Sequence, residues 1–186
     1  MATFPERKIE NLGVVLRHCE PAEAQLWIDF WSVVARETTH TLQTPEKPQT
    51  VESCRANWEE TLASPTALKI GAFDVVDGRP RLVGQIGINV GDHHPWTRHV
   101  GVFGMMVRRE YWGRGLGRAL MDAMEGHARS VGVLKIEAQV RVENERGLRL
   151  YTANGYRIEG RRSRAVKIDG RFQDEFWIAK DLDSGT

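Results

Sequence analysis

Three glycines within five positions, Gly113-Arg114-Gly115-Leu116-Gly117, separate a strand-like segment at 99–107 from a helix-like segment at 117–132. Glycine weakens a helix, and it is used where the backbone needs a positive φ or where a ligand must approach closely. A strand, a glycine-rich turn and a helix in this order gather free backbone N–H groups at the positive end of the helix dipole. The stretch therefore predicts either a phosphate-binding loop or an ordinary structural turn.

The spacing of these glycines excludes the two best-known phosphate loops. A P-loop requires G-x-x-x-x-G-K-[ST], and the sequence contains no such run. The dinucleotide fingerprint requires G-x-G-x-x-G, whereas this loop reads G-x-G-x-G. An acidic residue, Glu137, does follow Gly117 by 20 positions, but only 69 residues remain after the loop, whereas a dinucleotide-binding unit normally opens its domain.

The remaining sequence pattern predicts one α+β domain, because 186 residues are enough for a single sizeable core. Apolar residues recur at helical or alternating spacing along the chain. Helices are predicted at 21–37, 51–63, 117–132 and 144–154, and strands at 13–19, 67–76, 81–90, 99–107 and 133–142. A β-hairpin that turns at Asp169-Gly170 is predicted as the last pair of strands. The order β-α-α-β-β-β-α-β-α-β-β predicts a central, mostly antiparallel sheet with helices on its faces.

Charge and composition restrict the expected partners and location. The 26 basic and 25 acidic residues give a formal charge of +1, which provides no overall attraction to nucleic acid or to an anionic membrane. The sequence shows no long apolar run and no apolar leader. Only Cys19 and Cys54 occur, which suits a reducing compartment, so we expect a cytoplasmic protein. The pair His93-His94 lacks a third ligand at suitable spacing, and no metal site is expected.

Two blocks resemble the GCN5-related N-acetyltransferase (GNAT) family. The first, Trp112-Gly113-Arg114-Gly115-Leu116-Gly117, is similar to that family's acetyl-CoA signature [QR]-x-x-G-x-[GA], with Trp112 at the position of Gln or Arg. The second contains Asn144, Tyr151 and Gly155-Tyr156, and it matches the family pattern N-x(6)-Y-x-x-x-G-[FY]. The resemblance covers residues 12–182 and leaves 1–11 and 183–186 as flexible termini.

The resemblance implies a single-domain GNAT-like fold, with a mixed sheet, helices on both faces, and parallel strands at 99–107 and 134–142 that splay apart. The pantetheine arm of acetyl-CoA would lie in the gap, and the pyrophosphate would lie on the amides of 113–118. The implied cofactor-binding residues are Met106, Val107, Trp112, Gly113, Arg114, Gly115, Gly117, Arg118 and Asn144. Trp112 departs from the family pattern, so one side-chain contact is expected to differ there.

In this family an amine attacks the thioester directly. The resemblance therefore implies that Tyr151 protonates or hydrogen-bonds the departing thiolate. The strand at 99–107 carries no carboxylate, and Glu37, His99 and Glu137 are alternative general bases, each of which also has an ordinary structural explanation. Glu37 and His40 are the expected substrate-binding residues beside the loop at 38–50.

Segments such as HTLQTPEK and RHVGVFGMMV are similar to a bacterial branch of the family that acetylates small amines and amino acids. The expected function is therefore acetyl transfer to the primary amine of a small molecule. A protein N-terminal or lysine acetyltransferase and a non-catalytic acyl-CoA-binding module remain alternatives. The terminal strands offer an edge for a homodimer.

Overall fold

The computed structural model describes residues 4–41, 49–91 and 94–182. Its eight strands are β1 (Arg7–Ile9), β2 (Val14–His18), β3 (Leu68–Val76), β4 (Arg79–Val90), β5 (Val100–Val107), β6 (Lys135–Arg141), β7 (Arg157–Ile168) and β8 (Arg171–Asp181). Its four α-helices are α1 (Ala24–Glu37), α2 (Val51–Ala63), α3 (Leu116–Ser130) and α4 (Glu145–Ala153).

All eight strands belong to one sheet, in the order β1-β2-β3-β4-β5-β6-β8-β7. Every neighbouring pair is antiparallel except β5 and β6, which run parallel with α3 as their connection. The predicted mixed, mostly antiparallel sheet is confirmed. The hairpin of β7 and β8 turns at Asp169 and Gly170, which both have positive φ.

Two separate hydrophobic cores show that helices cover both faces of the sheet. One core contains the apolar stripe of α3, including the fully buried Leu120 and Met124, against Ile86 and Ile136. The other core packs α1 and α2 against the opposite face of β3 and β4. Its large side chains are Trp27, Phe30, Trp31, Trp58, Phe73 and Leu82.

The sheet has a gap in its middle, where β5 and β6 diverge. These two strands pair only over Val100–Val102 and Lys135–Glu137. Beyond that point β5 continues to Val107 beside β4, and β6 continues to Arg141 beside β8. The predicted splay of the two parallel strands is thus present, and no described strand pairs with residues 103–107 on their β6 side.

Some expectations concern the ends of the chain and its surface. Arg7–Ile9 form an edge strand against β2, so regular structure begins before residue 12. Residues 1–3, 42–48, 92–93 and 183–186 lie outside the described residues, so the structure does not test the expectations for the termini, for part of the segment 38–50 or for His93. Among the described residues, no helix combines the length and apolar character needed to cross a membrane, and no His, Cys, Asp or Glu cluster suits a metal ion.

Candidate active site

The glycine-rich loop forms an open backbone cradle at the start of α3. Gly113 and Gly115 have φ values of 71° and 92°, which other residues rarely adopt. A Cβ built on either residue would meet no atom within 4 Å, so both face open space. Gly115 is the N-cap of α3 and no side chain caps the helix, although the first N–H groups of a helix lack intrahelical partners. These donors and the helix dipole suit an anionic ligand.

Gly117 has a different role from the other two glycines. A Cβ at this position would lie 3.0 Å from Leu150 Cδ2, on the helix that follows β6. That distance is shorter than ordinary van der Waals contact. Gly117 therefore allows α3 and α4 to pack closely, and it also lines the cavity beside the loop.

A cavity of about 940 Å³ lies against this loop, between the end of α1, the end of β5 and the start of α4. Eight of the nine expected cofactor-binding residues line it: Met106, Val107, Trp112, Gly113, Gly115, Gly117, Arg118 and Asn144. The exception is Arg114, whose guanidinium lies 5.0 Å from the Tyr111 ring centroid and donates to the Glu110 carbonyl at 3.3 Å. Its side chain is therefore held beside the loop, outside the cavity lining.

Trp112, which stands where the family pattern has Gln or Arg, makes two contacts in this cavity. Its Nε1 donates to the Val107 carbonyl at 2.8 Å, and this bond fixes the end of β5 to the loop. The Arg146 guanidinium lies 3.9 Å from the centre of its ring system. A cation at this distance is attracted by the π-face. Trp112 therefore helps to hold the positively charged Arg146, which also lines the cavity.

Asn144 and Tyr151 lie on the same short element, α4. The Asn144 Oδ1 accepts from the Gly147 N–H at 3.0 Å and caps the helix, which leaves its NH₂ group as the remaining donor. Two turns later, the Tyr151 ring packs edge-on against Phe103, with centroids 5.6 Å apart. Within the described part of the chain its hydroxyl forms no hydrogen bond, and Tyr151 lines the cavity.

The environment of Tyr151 determines what its hydroxyl can do. Burial raises the pKa of Tyr151 to about 12. A thiol titrates near 8.5, so full proton transfer from this tyrosine to a thiolate would be uphill by about 5 kcal/mol. The hydroxyl therefore suits hydrogen-bond donation to a developing negative charge better than complete protonation.

A second cavity, of about 450 Å³, adjoins the first on the side of α2 and β3. Six residues line both cavities: His40, Thr41, Met105, Met106, Asn144 and Tyr151. Trp27 and Trp58 close the second cavity while belonging to the core beneath α1 and α2. The Tyr151 hydroxyl thus stands where the two spaces meet.

The candidate bases are distributed unevenly around these cavities. The Glu37 carboxylate lines the first cavity and accepts from the Arg109 N–H at 2.8 Å, which fixes the end of α1 to the turn before the glycine loop. Glu137 binds Lys135 at 2.8 Å and accepts from Trp177 Nε1 at 3.1 Å. Neither Glu137 nor His99 lines a cavity. No carboxylate is among the described residues that line the second cavity.

His40 lies beside both cavities because an arginine on β6 holds its loop. The buried Arg141 donates to the Thr39 carbonyl at 3.1 Å and to the Thr41 carbonyl at 3.4 Å, and its own charge faces Glu175. Burial, and then the charge of Arg141, lower the pKa of His40. The imidazole is therefore mostly neutral at neutral pH and can accept a hydrogen bond or a proton.

Sequence reasoning did not identify three side chains that line these cavities. Arg146 lies two positions after Asn144, at the start of α4, and this placement beside the motif was an available signal. Lys69 and Gln139 line the second cavity from β3 and β6. Their alternating patterns gave no sign that these polar positions face a cavity instead of bulk solvent.

Known proteins of similar sequence are acetyltransferases. Residues 27–156 match the model of the Acetyltransferase (GNAT) family. An L-amino acid N-acetyltransferase, AaaT, from Escherichia coli K12 is 28% identical over 168 residues, which cover 90% of this chain and 97% of that protein. An N-alpha-acetyltransferase, RimI, from Mycobacterium tuberculosis is 34% identical over 127 residues, covering 68% of this chain and 73% of that protein.

Solved structures share the fold across most of the chain. A GNAT-family acetyltransferase from Streptococcus pneumoniae superposes with a TM-score of 0.82 at 24% identity, covering 91% of this chain and 99% of that one. The structure of yncA, a putative acetyltransferase from Salmonella typhimurium with its cofactor acetyl-CoA, gives a TM-score of 0.79 at 16% identity, covering 93% and 96% of the two chains.

Proposed function

This chain belongs to the acetyltransferase (GNAT) family, and on that premise we propose that it transfers the acetyl group of acetyl-CoA to the primary α-amine of a small molecule, such as a free amino acid. The observation that carries this proposal is the meeting of two cavities at Tyr151. One cavity leads to an anion-binding helix end, and the other has the volume of a small-molecule site, roughly 300–1,000 Å³.

The first cavity fits acetyl-CoA, which supplies an activated thioester. The uncapped start of α3 and the open faces of Gly113 and Gly115 would hold the pyrophosphate, with Arg118 close by. Met106 and Val107 would pair with the pantetheine arm through the free edge of β5, as an added strand would. The Asn144 NH₂ group is a further donor toward the same arm.

The proposed chemistry is direct attack by the amine, assisted by this chain's own donors. The Tyr151 hydroxyl would donate to the sulfur as negative charge develops there, because its raised pKa keeps the proton on oxygen. The amine must be neutral to attack. Its proton would leave through water or through His40, since no carboxylate is among the described residues that line the second cavity.

Among the described residues, no carboxylate lines the acceptor side, which favours an α-amine over a lysine side chain. Deprotonating a lysine-type amine at pH 7.4 costs about 4 kcal/mol, whereas an α-amine with a pKa near 8 costs less than about 1 kcal/mol. The relationship to an L-amino acid N-acetyltransferase supports the same class of acceptor. Both thiols are free and buried, which supports a cytoplasmic location.

An acceptor screen tests this proposal. Purified protein is incubated with acetyl-CoA and with amino acids, simple amines, peptides with free N-termini, and lysine derivatives blocked at the α-amine, and release of the CoA thiol is followed. We expect turnover with free amino acids and little with the blocked lysines. Efficient turnover of the blocked lysines but not of α-amines would overturn the proposal.

Acetylation of a protein N-terminus is the second candidate, because the chain is 34% identical to an N-alpha-acetyltransferase over 127 residues. It requires the same α-amine chemistry but an acceptor that continues as a peptide. In the same screen, a preference for peptides over the corresponding free amino acids would select this candidate.

A further inference from the structure

The second cavity contains a basic side chain that the acetyl-transfer chemistry does not use. Lys69 lies on β3, directly opposite Gly87 of β4, which in turn lies opposite Gly104 of β5. A Cβ at Gly87 would lie 3.6 Å from the Lys69 Cε, so the lysine side chain crosses β4 over a position that has no side chain of its own. Lys69 therefore lies over Gly87 of β4 and lines the second cavity.

Among the described residues, the hydrogen-bond partner of the Lys69 ammonium group is neutral. Its Nζ donates to the Asn57 Oδ1 on α2, and within the described part of the chain it forms no ion pair. Burial lowers the pKa of Lys69, while Cys19, Cys54 and Glu60 each act in the opposite direction by less than the effect of burial. Burial also raises the pKa values of both thiols, so neither thiol carries a negative charge at neutral pH.

The other described side chains lining the second cavity are neutral, with His40 titratable but mostly uncharged. They include the amides of Gln85 and Gln139 as hydrogen-bonding groups. A partly buried cation among neutral groups favours an anion, because burying a charge without a partner is unfavourable. A carboxylate is the anionic group that a compact cavity of about 450 Å³ accommodates together with an amine.

The position of Lys69 relative to the reacting end fits an α-amino acid. Strands lie about 4.8 Å apart, so the Cα atoms of Lys69 and Gly104 are separated by about 10 Å, and the lysine side chain spans part of that distance. Next to Gly104, Met105 and Met106 line both cavities together with Tyr151. In an α-amino acid one carbon joins the carboxylate to the amine, so a carboxylate held by Lys69 leaves the amine directed toward this junction.

We propose that Lys69 is the specificity-determining residue that binds the carboxylate of the acceptor, with Asn57 orienting its ammonium group, so that the substrates are free α-amino acids. This inference rests on the proposed acetyl transfer to an α-amine and adds what the acceptor must carry beside the amine. It also separates the two candidates above, because the first residue of a peptide presents a neutral amide to Lys69.

The test compares each amino acid with its carboxamide, for example leucine with leucinamide, in the wild type, Lys69→Met and Lys69→Arg. We expect Lys69→Met to raise KM for leucine about 10- to 100-fold, the range for loss of one hydrogen bond to a charged group. The KM for leucinamide and the kcat for both acceptors stay close to wild type. Lys69→Arg retains the preference, and Lys167→Met, an exposed lysine on β7, serves as the matched control.

A binding measurement keeps the inference separate from the proposed function. Calorimetric titration of leucine and the other nineteen amino acids into protein saturated with CoA measures acceptor binding without turnover. Binding that is lost in Lys69→Met, with acetyl-CoA affinity intact, supports the carboxylate site even if no acetylation occurs, which would overturn only the proposed function. Equal binding by the wild type and Lys69→Met, no amino acid binding, or an unchanged acid-to-amide ratio in turnover overturns the role of Lys69.

Discussion

At the residue scale, Tyr151 shows how its environment changes the function that a motif suggests. The motif implies a tyrosine beside the thioester, and a tyrosine can act as an acid or as a hydrogen-bond donor. Packing against Phe103 and burial on α4 raise its pKa to about 12, which disfavours release of the proton. The structure therefore favours the hydrogen-bond donor, and the pH dependence of the enzyme should reflect this.

Tyr151→Phe should lower kcat by about 10- to 100-fold, because the hydrogen bond to developing charge at sulfur is lost. The affinity for acetyl-CoA should be unchanged, since the ring remains in place. Steady-state thiol release and calorimetry measure the two quantities. Tyr156→Phe is the matched control, because Tyr156 is buried outside both cavities. Equal kcat values for wild type and Tyr151→Phe would remove Tyr151 from the mechanism.

The pH profile provides a related prediction from the same residue. A group that must be protonated, with a pKa of about 12, stays protonated throughout the range in which proteins are usually assayed. Deprotonation of Tyr151 should therefore not lower the kcat of the wild type between pH 8 and pH 10. In this range, kcat should depend on pH in the same way in the wild type and in Tyr151→Phe. A decline in that range that disappears in the variant would show that the tyrosine titrates with a much lower pKa.

The sequence allowed prediction of residues whose role depends on neighbours nearby in the chain. Asn144 and Tyr151 are seven positions apart on one helix, and Gly113 and Gly115 belong to one turn, so their spacing alone is informative. Lys69 is different, because its position depends on residues distant in the sequence. Its Nζ donates to Asn57 on α2, and its side chain lies over Gly87, which has no side chain of its own. The position of Arg146 over Trp112 joins α4 to the turn before α3, 34 residues apart, a contact that depends on the folded chain.

At the element scale, two glycines of α3 should respond oppositely to substitution by alanine, one at its N-cap and one within the helix. Gly115 precedes the helix with φ of 92°, whereas Gly126 lies within the helix on its exposed side. A Cβ would meet no atom within 4 Å at either position. Only the first position combines a left-handed backbone with the anion-binding end of the helix, so the same substitution should have different consequences.

Gly115→Ala should destabilise the fold by about 1–2 kcal/mol, the cost of a left-handed conformation for a residue with a Cβ. It should also weaken acetyl-CoA binding, because the new methyl group projects into the cradle. Gly126→Ala, the matched control, should stabilise the fold by about 0.5–1 kcal/mol and leave binding unchanged. Denaturant unfolding and calorimetry measure both effects, and equal acetyl-CoA affinities in the two variants would contradict the proposed cradle.

Elements with strong periodicity were predicted well, and short or irregular ones were not. The helix predicted at 117–132, with its apolar stripe, agrees with α3 within two residues, and the strand predicted at 99–107 agrees with β5 within one residue. In contrast, Arg7–Ile9 has three residues, which is too short for an alternating pattern. The packing role of Gly117 was also missed, since it depends on contact with Leu150 across two helices.

At the scale of the whole molecule, the thiols of Cys19 and Cys54 lie in the core beneath α1 and α2. Their burial makes the free energy of unfolding decrease at alkaline pH. Burial raises the pKa of Cys19 to about 12 and that of Cys54 to about 11, from 9.0 in an exposed thiol. Above pH 9 the unfolded chain releases protons that the folded chain retains. Stability contributed by the neutral thiols is therefore complete below pH 9 and decreases as the pH rises above it.

Each thiol should reduce the free energy of unfolding by about 1.4 kcal/mol at pH 10 relative to neutral pH. Denaturant unfolding of the wild type and of the double variant Cys19→Ala/Cys54→Ala, at pH 7.5 and pH 10, isolates this contribution. The double variant should lose less stability between the two pH values, whatever its stability at pH 7.5. An equal loss in both proteins would show that the thiols titrate alike in the folded and unfolded states.

The divergence of β5 and β6 divides the sheet into two blocks, β1–β5 and β6–β8, joined by three residue pairs in the middle. Beyond these three pairs, contact between the two blocks depends on what occupies the gap between β5 and β6. A ligand there at 100 times its Kd would add about 2.7 kcal/mol to the free energy of unfolding. Amide hydrogens along the free edge of β5 should then exchange more slowly with solvent as ligand is added. The supply of acetyl-CoA would thus influence the lifetime of the enzyme as well as its rate.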